Sequence, residues 1–186
     1  MPKLKMVQFK CVEDTNEIGF ESPYFLTFVG DLLSQRVKVK LTRKSFWNNK
    51  VDKGETWPVN DTITNDFDLA PAHTIVLAAM VEKDDGIDIV AGEVGTIEAT
   101  MKPVFLNHVQ AGFTASDPNF VSTMSNTFQQ AIATALATAA GADDDLMIKD
   151  SGHAIRKVPI TSSNGHFGNL TFPGGGGLYS VTYGRE

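Results

Sequence analysis

The segment Ile75–Gly95, IVLAAMVEKDDGIDIVAGEVG, joins an unbroken apolar run to a cluster of acids. Ile75, Val76, Leu77, Ala78, Ala79, Met80 and Val81 form a run too short for a typical helix and rich in β-branched residues. It predicts a buried strand. Glu82, Asp84, Asp85 and Asp88 follow, with Gly86 among them. Carboxylates this close repel one another, a cost that is tolerable in water or around a hard cation that takes about six to eight oxygens.

Other segments also read as strands. Leu4–Val12 alternates apolar and polar residues, and Pro23–Val29 (PYFLTFV) places its proline at a first strand position. Arg36–Thr42 (RVKVKLT) has a strict period of two, with Val37, Val39 and Leu41 on one face of a half-exposed strand. Trp57 flanks a turn over residues 48–55, and Ile63–Leu69 is a weaker strand. Ala154–Ile160, Phe167–Phe172 and Leu178–Tyr183 complete the set, with Gly174–Gly177 as the turn between the last two.

The period changes at Val94. Ile97, Met101, Val104, Phe105 and Val109 recur at helical spacing, with Pro103 as a kink or interruption. A second helix starts at Asp117 as cap and Pro118 at the first helical position, and Gly141 can close it. Its stripe of Phe120, Met124, Phe128, Ile132 and Leu136 is apolar. The opposite face, Ser122, Ser125, Asn126, Gln129, Gln130, Thr134 and Thr138, carries no charge. Many short strands around one change of period predict a mainly β fold: an antiparallel β-sandwich with a helical insertion at about 94–140, in one domain over residues 1–186.

Composition narrows the function. A formal charge of -6 repels a phosphate backbone, and no Lys/Arg cluster is denser than Lys38, Lys40, Arg43 and Lys44, so nucleic acid is not an expected partner. The lone Cys11 rules out an internal disulfide and reads as a small core residue. There is no Gly-x-Ser-x-Gly elbow, and His73, His108, His153 and His166 show no zinc spacing. The four-glycine run precedes a strand, where a phosphate-binding loop requires a helix. Nucleophilic catalysis therefore finds little support, an acid and base pair of carboxylates would need a cleft, and the expected class is a non-enzymatic binding module. The amino-terminal stretch has no unbroken apolar core of a signal peptide, so the expected location is the cytoplasm, or outside the cell by a route that needs no classical signal.

The order of these features resembles a known family. An acidic loop (Glu13, Asp14, Glu17, Glu21) precedes the PYFLTFV strand, a basic strand follows, and the chain then reaches Asp66-Phe67-Asp68-Leu69 and the acids after Val81. This resembles the calcium-dependent lipid-binding β-sandwich domains of protein kinase C and the synaptotagmins, the "C-two" domains, over roughly Lys3–Gly95. Glu21-Ser22-Pro23-Tyr24 stands where that family has Ser-Asp-Pro-Tyr, Val94-Gly95 stands near its Ile-Gly, and Glu82 replaces the first aspartate of its loop. The pattern also resembles a group of bacterial proteins of unassigned function with an acid-rich loop before Pro-Tyr, a central helical insertion and a glycine-rich turn before a final strand.

The acid spacing and the resemblance together imply one calcium site built by two loops at the same end of the sandwich. Glu82, Asp84 and Asp88 would supply one side, and Asp14 and Glu21 the other. The expected partner is a protein or a second copy of the chain. A membrane surface is expected only where calcium inverts the local field, with Ile18, Phe20, Ile87 and Ile89 as the available apolar tips. The alternative reading is a structural subunit of a homo-oligomeric or filamentous assembly, which the uncharged helix face and the alternating strand Arg36–Thr42 suggest.

Overall fold

A computed structural model of the protein describes residues 2–13, 24–43, 53–82, 91–138, 145–146, 155–174 and 177–186. The elements in chain order are β1 (Leu4–Glu13), β2 (Tyr24–Asp31), β3 (Arg36–Thr42), β4 (Thr56–Thr64), β5 (Thr74–Glu82), α1 (Ala91–Gln110), α2 (Pro118–Thr138), β6 (Asp145–Leu146), β7 (Arg156–Lys157), β8 (Gly165–Gly174) and β9 (Gly177–Arg185). They form an antiparallel four-stranded sheet, β4-β1-β9-β8, and an antiparallel five-stranded sheet, β3-β2-β5-β6, with β7 also paired to β5. The mainly β fold with a helical insertion is thus the observed one, and the helices form a third layer on the outside of the second sheet.

The layering follows from the strands at the centre. Along β2, Phe25 and Val29 face the first sheet, while Tyr24, Leu26 and Phe28 face the helices. Along β5, Val76, Ala78 and Met80 face the first sheet, and Ile75, Leu77, Ala79 and Val81 face the helices. Both strands are therefore covered on two sides, which is why the Ile75 run shows no polar alternation. The helix side is knit by Phe28 against Phe105 (6.2 Å between ring centroids) and Phe128 (6.0 Å), and by Phe105 against Phe120 (6.0 Å). Gly30 continues that face of β2. A Cβ there would stand 2.5 Å from Cε2 of Phe105, so the ring occupies the space that any side chain would need.

Between the sheets, Phe9 stacks on Trp57 (5.6 Å) and Tyr179 (5.7 Å) and meets Phe25 edge-on (5.6 Å). Leu4 and Met6 point inward, yet so do Phe9 and Cys11. A bulge between Met6 and Gln8 shifts the phase by one residue. A second bulge between Phe167 and Asn169 does the same in β8, at Gly168 with φ of 66°. A polar pair crosses this core with both side chains fully buried: the hydroxyls of Thr27 on β2 and Tyr183 on β9 are 2.9 Å apart. Burial holds the Tyr183 phenol far above its ordinary range, and the Thr27 bond offsets that only in part.

Several strand expectations need correction. The strand placed at Ile63–Leu69 lies at Thr56–Thr64, and 65–67 is a bend. Among the described residues β4 pairs with β1 alone, and such an edge strand is where a proline like Pro58 is tolerated. Ala154–Ile160 contributes only the two-residue β7, followed by a bond from Val158 N to Val76 O (2.9 Å). The valine face of β3 is its covered face, under α1: Val39 is buried, and Val37 and Leu41 pack against the helical cluster. The Val39 amide on the free edge of β3 donates to Oε2 of Glu98 on α1 (2.8 Å), which closes that edge to strand pairing.

In the helical layer, Oδ1 of Asp117 accepts from the amides of Asn119 (2.9 Å) and Phe120 (3.2 Å), as a capping residue should. α1 runs through Pro103. Pro103 and Ala99, whose carbonyl loses its helical partner, are both exposed, so water can satisfy that carbonyl. Gly141 lies outside the described residues.

Replacing Tyr183 by Phe leaves the fully buried Thr27 hydroxyl without a partner, and chemical denaturation should record a loss of about 1–3 kcal/mol. Adding Thr27→Val should restore most of that loss, because both polar groups are then gone. The pH dependence has a definite sign. An unfolded tyrosine ionises near about 10, whereas native Tyr183 keeps its proton to higher pH. The phenol's contribution is therefore complete below about pH 10 and is lost as pH rises, and the double variant should lose less stability above that pH.

Candidate metal-binding end

The antiparallel register brings separate stretches of sequence to one end of the middle sheet. β2 begins at Tyr24, whose Cα partner is Val81 near the end of β5. Residues 14–23 lead into Tyr24, and residues 83–90 leave from Glu82. The two acidic connections are thus anchored on neighbouring positions of one ladder. On the other side of β5, Val81 pairs with Leu146 and Glu82 pairs with Asp145. This brings the end of a third acidic stretch, Asp143-Asp144-Asp145, to the same place.

Of the five expected ligands, Glu82 is the last residue of β5, while Asp14, Glu21, Asp84 and Asp88 lie outside the described residues. Asp145 was not expected. Its signal, three consecutive aspartates, was visible in the sequence, but nothing in a two-residue strand indicates its pairing partner. Cα atoms of directly opposed residues in such a ladder are about 4.5–5.5 Å apart, and like charges so placed are destabilising unless something compensates them. Among the described residues there is no group of three or more His, Cys, Asp or Glu side chains able to hold a metal.

Other acids away from this end already serve local structure. Asp31, buried at the far end of β2, accepts from the amide of Leu33 (3.0 Å) and the hydroxyl of Ser34 (2.6 Å), which sets the hairpin turn before β3. Asp66, in the connection before β5, accepts from the hydroxyl of Thr64 (2.5 Å) and forms an ion pair with Arg36. The Thr64 bond does most to hold its carboxyl below the usual range; burial opposes it, and Arg36 and Lys38 add to the lowering. Glu186 is likewise held low, first by its bond with Lys5, at 2.7 Å.

The remaining candidates are dispersed. Cys11 is buried in the core, with its Sγ 3.5 Å from the Glu13 carbonyl. His108 rests against Phe113 and Phe120 with Nδ1 2.8 Å from the Val104 carbonyl oxygen. His73 lies in the turn before β5, His166 lies on β8, and His153 is outside the described residues. The exposed large hydrophobic residue Leu33 sits in the β2–β3 hairpin, at the opposite end of β2 from Tyr24. The apolar tips considered for membrane contact, Ile18, Phe20, Ile87 and Ile89, lie outside the described residues. No helix of the described residues is long and apolar enough to cross a membrane.

Comparison of the chain with models of protein families, with curated proteins and with solved structures finds no match.

The Glu82–Asp145 pairing gives a direct test of the electrostatics. In a metal-free buffer, Asp145→Asn should raise stability by about 0.2–1 kcal/mol, the effect expected of removing one of two acids at directly opposed strand positions. In excess calcium the gain should shrink or reverse, as measured by parallel urea titrations.

Proposed function

We propose that the protein is a non-enzymatic calcium-binding module that docks to a partner or membrane surface when calcium is bound. The observation that carries this reading is the register of the middle sheet, which anchors three acid-bearing stretches through Tyr24–Val81 and Glu82–Asp145. A hard divalent cation takes oxygen ligands from separate loops and tolerates carboxylates of unequal length. The proposed ligands are Asp14, Glu21, Glu82, Asp84 and Asp88, with Asp145 added by its pairing. In a chain of net charge -6, such a site would reverse the field at one end only while calcium is present. That supplies a physical reason for docking to depend on calcium, with an acidic lipid or protein surface as the natural target.

Calorimetric titration with calcium chloride should give a saturable heat, and millimolar calcium should raise the melting temperature, since a ligand bound only by the native state stabilises it. Glu82→Gln combined with Asp84→Asn should abolish both effects without unfolding the protein. Absence of heat together with an unchanged melting temperature would leave these acids as solvated strand ends and reject the proposal.

A further inference from the structure

We propose that the outer surface of the α1–α2 pair is a homotypic interface through which two copies of the chain associate face to face. Charged residues make up 20% of the chain, yet α1 and α2 together contain only Glu93, Glu98 and Lys102. Glu93 and Glu98 are half-buried, and Glu98 is committed to the Val39 amide. Lys102 is the one exposed charged side chain of the two helices. The exposed positions of α2 include Ser122, Asn126, Gln130, Thr134 and Ala137. A solvated helix face normally carries charges, so this surface is built unlike the rest of the molecule.

Several of its hydroxyls already have partners within the helices. Those of Thr96, Thr100, Thr127 and Thr138 donate to carbonyls of the preceding helical turn, at 3.2, 2.9, 2.9 and 3.0 Å. Covering these groups requires no new partner for them, which lowers the desolvation cost of burying the face. Both helices pack on the same side of the middle sheet, so their outer sides form one surface. Helices of this length run about 30 Å, and two side by side present on the order of 600 Å². That approaches the roughly 800 Å² per partner of a standard interface.

Charge selects the occupant. Two copies of a chain at -6 repel each other over most of their surfaces, and a nearly uncharged face is where they can meet with least opposition. A strongly charged partner would gain nothing from such a face. A self-complementary patch closes as a two-fold dimer and does not propagate. The inference does not depend on calcium, so it stands or falls separately from the metal-binding proposal.

Sedimentation velocity over a range of protein concentrations, in buffer with a calcium chelator, tests it. The wild type should show a monomer–dimer equilibrium that tightens as sodium chloride is raised, because screening removes the repulsion between like-charged copies. Asn126→Glu with Thr134→Glu, at exposed positions where glutamate suits a helix, should weaken the dimer at least tenfold with an unchanged circular dichroism spectrum. Thr171→Glu, exposed on β8 away from the helices, should leave it intact. A monomer at every concentration would overturn the proposal. So would a dimer indifferent to the α2 substitutions, a dimer weakened by salt, or a monomer whose helical face instead binds neutral phosphatidylcholine vesicles.

Discussion

The pairing of β2 with β5, buried on both faces, is the constraint on which the rest of the structure depends. A strand pair with apolar side chains on two sides must be covered twice, and the chain does this with different materials. A four-stranded sheet packs on one side through Phe9, Phe25 and Phe172, and a helical pair packs on the other through Phe28, Phe105 and Phe128. Fully burying one such side chain contributes about 1.5–3 kcal/mol, so the two faces of this pair hold a large share of the driving force for folding. The positions of the helices, the closed edge of β3 and the bare Gly30 all follow from serving that pair.

The same ladder gives the acidic residues their meaning. Along the sequence, residues 14–23, 83–90 and 143–145 are far apart; the register of β5 with β2 and β6 makes their anchor points neighbours. The opposite end of the sheet uses its acids otherwise, Asp31 to fix a turn and Asp66 to hold Arg36. The stack over Phe67, with the Arg36 guanidinium carbon 5.1 Å from the ring centroid, reinforces that local role. Acids at one end are therefore satisfied by their own surroundings, while at the other the ladder sets Glu82 and Asp145 at opposed backbone positions.

Much of the fold was legible because its strongest signals were local. The continuous run at Ile75, the four-residue apolar step from Phe120 to Leu136 and the Asp117-Pro118 cap each specify an element without help from the rest of the chain. What escaped was set by tertiary context. Pro58 argues against a strand until it is known to lie on an edge, and the bulge after Met6 reverses the inward phase in a way that alternation alone does not reveal. β6 and β7 are two residues each and exist only because β5 offers an edge to pair with. The acids after Val81 were legible as a cluster, but Asp145 was not legible as their neighbour, since cross-strand partnership between distant segments leaves no periodic trace.

The central claim is that β2 and β5 are the most protected part of the molecule because both of their faces are covered. Hydrogen exchange followed by mass spectrometry measures this directly. Amides of Tyr24–Asp31 and Thr74–Glu82 should exchange slowest, at rates set by global unfolding, while those of the edge strands β4 and β8 should open earlier through local fluctuations. If the β2 and β5 amides exchange as fast as those of β4 and β8, the middle sheet is not the structural centre and the account is wrong.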